Sequence, residues 1–207
     1  MLRDQWRSGI AHVGLALREP EDFAAAWHEG SASYAPWVWI ALGLTAILGT
    51  TTYGMTMGIL GGAGEIARCG LLLTVAAGVA WGTALPALYI LNSLAGSKLR
   101  ASTTLLAALV TTSWGGLALI ASIPINWLFS VALPSWPIPI SVPFWVTLVN
   151  LVVFAGVGVS MLDVFGRVMR RLEPRRGRAP TWYLALVAVI GSELFYAFGL
   201  FDFAGRM

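Results

Sequence analysis

The sequence is poor in charge. Asp, Glu, Lys and Arg make up only 11% of its 207 residues, while 57% are apolar. An average soluble domain carries about 25% charged residues. A soluble domain of this length could not bury so much apolar surface. The composition therefore argues against an ordinary soluble domain and predicts a protein whose surroundings are partly lipid.

Residues that carry redox, metal and cofactor chemistry are also scarce. Cys69 is the single cysteine, which excludes an internal disulfide and a CxxC motif. His12 and His28 are the only histidines and precede the first long apolar stretch, so no imidazole within the bundle could bind haem, chlorophyll or a metal. The one lysine, Lys98, lies in a predicted loop. With no nucleotide-binding or hydrolase motif in a usable context, the sequence predicts no catalytic residue, no metal site and no cofactor.

Long apolar runs are abundant. A transmembrane helix needs roughly 20 mainly apolar residues to cross about 30 Å of hydrocarbon. Asp163 and Glu193 are the charged residues inside the runs that qualify. The candidate spans are 36–60, 69–91, 102–123, 143–166 and 181–200. We therefore expect an all-α polytopic helix bundle of about five spans over 36–200, between an N-terminal segment 1–35 and a tail 201–207.

The basic residues indicate an orientation. With five spans and a cytoplasmic N-terminus, 11 of the 13 Lys and Arg residues lie on the inner side, six of them within 167–178. This asymmetry follows the positive-inside rule. The net charge of +3 then gives no reason to expect a nucleic-acid partner. The sequence predicts a multi-pass membrane protein with a cytoplasmic N-terminus and with the lipid bilayer as its surroundings.

The uncharged stretch 121–142 could pass for a further span. It contains four prolines, however, and proline disfavours a continuous helix. A sixth span would also place the arginine-rich loop outside. We therefore expect an apolar loop at the outer face, anchored in the interface by Trp127, Phe129 and Trp136.

The N-terminal segment has an amphipathic helical pattern. Leu2, Trp6, Ile10 and Leu17 recur at helical spacing, with polar residues between them. This pattern is typical of a helix that lies in the membrane surface. We expect these four residues to anchor it there, and a docking site for a partner subunit is the alternative.

Two series of glycines recur every four residues inside the apolar runs. Gly54, Gly58 and Gly62 form one, and Gly78 with Gly82 forms the other. Small residues at this spacing let helix backbones approach closely in lipid. They predict packing of the first span on the second, or alternatively a dimer interface.

Glu193 is the residue least suited to its apolar surroundings. A carboxylate within a span is energetically unfavourable unless it is paired or neutral. If spans four and five are antiparallel, Asn150 and Glu193 lie at a similar depth. We expect the two to hydrogen-bond as an interhelical pair. A proton or cation site, or a contact to another subunit, remains open.

Four segments resemble a group of uncharacterised bacterial polytopic membrane proteins that are similar to the Yip family. They are LPALYILNSLAGSK at 85–98, PINWLF at 124–129, the Asn150-bearing fourth span and GSEL at 191–194. The resemblance implies about five spans, an N-terminal cytoplasmic region and a location in the bacterial inner membrane. It implies no catalytic residue.

Two functions therefore compete. The scarcity of chemistry-bearing residues favours a non-catalytic structural or accessory subunit of a larger membrane protein assembly, whose partners would be other membrane proteins. The alternative is a small transporter or channel that uses Glu193, although no inverted repeat is visible. A lipid-modifying enzyme would need an acid–base pair or a nucleophile, and the sequence offers neither.

Overall fold

A computed structural model describes residues 2–94, 96–132, 142–174 and 182–200. These residues are almost entirely helical and contain no strand, which confirms the all-α prediction. The α-helices are α1 (Leu2–Arg18), α2 (Pro20–His28), α3 (Pro36–Met57), α4 (Gly62–Leu94), α5 (Ala101–Trp127), α6 (Val142–Leu172) and α7 (Trp182–Ala197). A 3-10 turn at Ile59–Gly61 joins α3 to α4, and a π-helical turn at Leu128–Ala132 follows α5.

Four segments are long and apolar enough to cross a membrane, so the chain is a multi-pass membrane protein. They are Pro36–Met57, Ile59–Leu94, Ala101–Ser130 and Val146–Leu172. Helix α7 has 16 residues in its described part and rises about 24 Å at 1.5 Å per residue. This is shorter than about 30 Å of hydrocarbon, so the fifth span stays a prediction.

The long helices form an arc. Helix α3 packs against α4 and α5, α6 packs on the far side of α5, and α7 packs against α4. The order around the arc is therefore α7, α4, α3, α5, α6. The rings of Phe154 on α6 and Phe195 on α7 meet across the opening of the arc, with centroids 5.2 Å apart.

The N-terminal helices cover one end of the arc, which we call the near end. Helix α1 crosses the start of α3, where a Cβ at Gly9 would be 3.3 Å from the carbonyl oxygen of Trp37. Helix α2 buries Ala24 and Ala25 in a cluster with Phe165, Val168 and other residues at the end of α6. The opposite end, near the 3-10 turn, is the far end.

Helix α5 is longer than the predicted span 102–123. It continues through Pro124 to Trp127, and the π-helical turn carries the helical path to Ala132. The prediction of a loop from residue 121 is therefore wrong over 121–132. Proline inside a membrane helix is tolerated when neighbouring helices and local π geometry satisfy the backbone. The rest of the expected loop, including Trp136, lies outside the described residues.

The glycines of α3 do mediate close helix packing, but with two helices. A Cβ at Gly54 would lie 2.8 Å from the carbonyl oxygen of Cys69, and one at Gly58 would clash with the backbone of Glu65 on α4. A Cβ at Gly49 would clash with the backbone of Gly116 on α5. The contact between α3 and α5 was not predicted, although small residues at the matching positions of both apolar runs indicate that such a contact is possible.

The other three predicted packing glycines do not mediate a close approach. Nothing lies within 4 Å of a Cβ built at Gly62, Gly78 or Gly82. Gly62 has a φ of +83° and begins α4 after the 3-10 turn. This backbone conformation favours glycine, so Gly62 is needed for its φ and not for a small side chain.

Candidate functional site

A buried hydrogen bond joins α3 to α6 at the far end. The Tyr53 hydroxyl donates to Oδ1 of Asn150 over 2.7 Å, and Nδ2 of Asn150 donates to the Val146 carbonyl over 2.8 Å. Both side chains are at most 1% exposed. The predicted pairing of Asn150 with Glu193 is therefore wrong. Asn150 points towards α3, because α6 follows α5 around the arc and meets the interior of the bundle there.

A second set of hydrogen bonds continues from Tyr53 towards α5. Thr56 Oγ1 donates to the Tyr53 carbonyl over 2.6 Å, and Asn126 Nδ2 donates to Thr56 Oγ1 over 2.8 Å. Ser130 Oγ then donates to Asn126 Oδ1 over 3.0 Å. These residues form the far-end polar cluster: Tyr53, Thr56, Asn126, Ser130 and Asn150. It contains amides and hydroxyls directed at one another, which suits a structural connection between three helices.

Glu193 lies on the outside of the arc. Its neighbour Gly191 faces α4, where a Cβ would be 4.0 Å from Cβ of Ala80, and Glu193 itself is exposed. Within the described part of the chain, Glu193 makes no ion pair and no hydrogen bond. Val189 and Tyr196 lie one turn away on either side and are 57% and 76% exposed. We call Val189, Glu193 and Tyr196 the α7 outer face.

The concave side of the arc encloses a cavity of about 530 Å³. All five long helices line it, mainly with small residues such as Gly43, Ala46, Ala155, Gly158 and Ala188, and the rings of Phe154 and Phe195 also border it. None of the described residues that line this cavity is charged. Glu193 is not among them, although its neighbour Ser192 is.

Hydroxyl groups at the cavity wall bond to their own helices. Thr50 donates to the Ala46 carbonyl and Thr74 to the Gly70 carbonyl, both over 2.8 Å. Thr112 and Ser192 do the same over 3.0 and 2.9 Å to carbonyls three residues earlier. Their protons are therefore not available for a ligand without loss of these bonds.

Ion pairs join the N-terminal segment to α6 at the near end. Arg167 contacts Glu21 over 2.9 Å and Asp163 over 3.1 Å, and Arg171 contacts Asp22 over 3.1 Å. Asp163 and Arg167 lie four residues apart on α6, the spacing at which opposite charges pair along a helix. These charges are partly exposed, so each pair contributes little stability.

Apolar and aromatic packing holds α2 more firmly than its charges do. Phe23 is 2% exposed and stacks on Tyr34, with ring centroids 4.1 Å apart. The Tyr34 hydroxyl donates to the Phe23 carbonyl over 2.9 Å. A phenol is protonated at neutral pH even at its usual pKa of about 10, and burial raises the pKa of Tyr34 further, so the hydroxyl is available as a donor.

Helix α1 divides its apolar residues between the bundle and the outside. Val13 and Ala16 are buried and Leu17 packs against the same cluster, whereas Ile10 is 65% exposed. The side chains of Leu2 and Trp6 lie outside the described residues. The helix is confirmed, and its anchoring in the membrane surface stays a prediction.

Comparisons with known proteins add no identity. No protein-family model, no curated protein and no solved structure matches this chain. Within the described residues, no group of three or more His, Cys, Asp and Glu side chains could hold a metal ion. The candidate sites are therefore the α7 outer face and the central cavity, and each must be judged on its own geometry.

Proposed function

We propose that this protein is a non-catalytic accessory subunit of a larger membrane protein assembly, and that it contacts its partner through the α7 outer face. The observation that carries this proposal is the position of Glu193. It is exposed on an apolar helix and has no polar contact within the described chain. A face of this kind is better suited to another protein than to lipid.

The energy of a lipid-facing carboxylate supports a partner. Placing a charged side chain at the centre of a membrane helix costs about 2.5–3.5 kcal/mol on insertion scales, and less towards the ends. Glu193 lies four residues before the end of α7 at Ala197, so it is not far from an interface. A neighbouring helix with an arginine, lysine or amide at the same depth would remove that cost. Tyr196 adds an exposed aromatic ring of the type enriched in protein interfaces.

The interior of the bundle also supports a structural role. The far-end polar cluster joins α3, α5 and α6 through hydrogen bonds between its own members. Such a cluster rigidifies a fold, and it leaves no nucleophile paired with a base. A catalytic role would need such a pair.

Transport through the bundle is the alternative, because a cavity lies at membrane depth. Glu193 would be the coupling residue, but it does not line that cavity. Carriers place their ion-binding groups where substrate meets the protein. This alternative would therefore need Glu193 to act from a second, outward-facing site.

The proposed setting is the bacterial inner membrane, with the near end in the cytoplasm. The arginines of α6 and the acidic residues of α2 would then lie at the cytoplasmic surface, as the positive-inside rule favours. Membership of the Yip-like group is part of the same proposal.

Purification with partners tests the accessory role. After gentle solubilisation, we expect the wild-type protein to migrate with a partner in fixed ratio, as measured by native electrophoresis and mass spectrometry. Glu193→Leu should release the partner, whereas Glu193→Gln should retain part of it through hydrogen bonding. Thr83→Leu is the matched control, because Thr83 is an exposed polar residue on another membrane helix. A wild-type protein that remains monomeric and conducts ions in liposomes would refute the proposal.

A further inference from the structure

We infer that the central cavity binds one hydrocarbon chain of a membrane phospholipid, which enters from the bilayer between α6 and α7. This inference is independent of the proposed partner, because the cavity and the α7 outer face share no residue. It rests on where the cavity lies, what its wall can recognise and how its opening is built.

The cavity lies at the depth of lipid tails. Its wall comes from residues 43–50 of α3, 109–119 of α5 and 151–161 of α6. Each range surrounds the midpoint of its helix. A cavity midway along membrane-crossing helices faces the hydrocarbon centre of a bilayer and not its headgroups.

Packed protein separates the cavity from both ends of the bundle. At the far end, the polar cluster around Tyr53 and Asn150 closes the cavity together with Leu119 and Phe198. At the near end, helix α2 packs against a cluster that closes the cavity there: Leu88, Ala107, Phe165 and Val168. Helix α7 packs closely against α4, and α6 against α5, whereas α6 and α7 meet through side chains such as Phe154 and Phe195. We therefore assign the route to lipid to the side between α6 and α7, where movement of side chains alone can open it.

The wall suits an apolar ligand. Among its described residues none is charged, and its hydroxyls at Thr50, Thr74, Thr112 and Ser192 already donate to helix carbonyls. The indole N–H of Trp81 is the remaining side-chain donor among them. A charged or strongly polar headgroup inside this cavity would lose its hydration and gain one N–H donor at most in return, so the headgroup stays outside. A volume of about 530 Å³ is within the range of small-molecule sites.

The opening favours a flexible chain over a helix of a partner protein. The rings of Phe154 and Phe195 meet across it with centroids 5.2 Å apart. A helix with its side chains is about 10–12 Å wide, so it could not pass between them. A single acyl chain is much narrower and can bend around the two rings. The bilayer supplies such chains at far higher concentration than any other apolar molecule.

Two glycines on α6 make the inference testable. Gly158 lines the cavity and Gly156 does not, and nothing lies within 4 Å of a Cβ built at either. Gly158→Leu should therefore fill part of the cavity without disturbing helix packing, while Gly156→Leu places the same side chain elsewhere. Gly43→Leu repeats the test from α3, because Gly43 also lines the cavity and has equally open space.

The measurement is the number of phospholipid molecules that remain on the purified protein after extensive exchange into lipid-free detergent, determined by native mass spectrometry. We expect one phospholipid on the wild type and on Gly156→Leu. For Gly158→Leu and Gly43→Leu, we expect the amount of retained phospholipid to fall by about tenfold or more. The added leucine side chain occupies space that the acyl chain needs. A thermal unfolding curve for each variant identifies any that fails to fold, and the remaining cavity variant then decides.

Three results would overturn the inference. They are wild-type protein that retains no lipid, equal retention by Gly158→Leu and Gly156→Leu, and retention of an isoprenoid molecule in place of a phospholipid. Loss of a partner protein in the Glu193→Leu variant with lipid retention unchanged would leave the cavity assignment intact, so the two proposals fail separately.

Discussion

The hydroxyl of Tyr53 donates a hydrogen bond to the amide oxygen of Asn150, 97 residues away in the sequence, and both side chains are almost completely buried. This bond connects the first long helix to the fourth across the far end of the arc. Within lipid, interhelical hydrogen bonds contribute about 0.6 kcal/mol on average and up to about 1.7. The burial of both partners suggests a value near the upper end.

Removing that hydroxyl should destabilise the bundle. We expect Tyr53→Phe to lower the free energy of unfolding by about 1–2 kcal/mol, because Asn150 Oδ1 would lose its donor inside the protein. Unfolding by increasing denaturing detergent, followed by circular dichroism, measures the change. Thr52→Val is the control, since this exposed hydroxyl on α3 bonds only to its own helix. Equal stability of Tyr53→Phe and Thr52→Val would show that the bond contributes nothing.

A methyl group at the crossing of α3 and α5 should be poorly tolerated. A Cβ at Gly49 would clash with the Gly116 backbone, so Gly49→Ala should destabilise the protein by about 1–3 kcal/mol or more through overpacking. Gly43→Ala on the same helix meets nothing within 4 Å and should be neutral or slightly stabilising. Thermal unfolding of the two variants in the same detergent compares them. An equal melting temperature for both would contradict the close crossing.

The contacts of α2 should differ in importance. Arg167→Gln removes two partly exposed ion pairs and should cost less than about 1 kcal/mol. Phe23→Ala leaves a hole beneath Tyr34 and should cost about 3–5 kcal/mol. Limited proteolysis of the N-terminal segment should therefore accelerate strongly in Phe23→Ala and little in Arg167→Gln. The opposite order would mean that charge, and not packing, holds α2.

The sequence predicted where the helices lie along the chain far better than which side of each helix meets which neighbour. The first span was expected at 36–60 and the helix runs from Pro36 to Met57, because apolar length and flanking proline mark such a helix. The Glu193–Asn150 pairing failed because equal depth does not fix the rotation of a helix or the order of helices around an arc. The end of α5 was not predicted because Asn126 bonds to Thr56, which is 70 residues away in the sequence, and local proline content carries no information about that contact.

The glycines illustrate the same limit. Gly54 and Gly78 have equivalent local spacing, yet the first meets the backbone of α4 and the second faces open space. The spacing of small residues indicates that two helix backbones can approach each other closely. Which glycines are used depends on where two helices cross, and that depends on the whole bundle.

The orientation of the bundle can be tested from both of its ends. In a Cys69→Ala background, Ser31→Cys would place a thiol at the near end and Leu60→Cys would place one at the far end, both at exposed positions. The excess of arginine at the end of α6, which contacts α2, predicts a cytoplasmic near end. A membrane-impermeant thiol reagent added to intact spheroplasts should then label Leu60→Cys and leave Ser31→Cys unlabelled until the membrane is permeabilised. Labelling of Ser31→Cys alone from outside would reverse the topology, and the chain would then be an exception to the positive-inside rule.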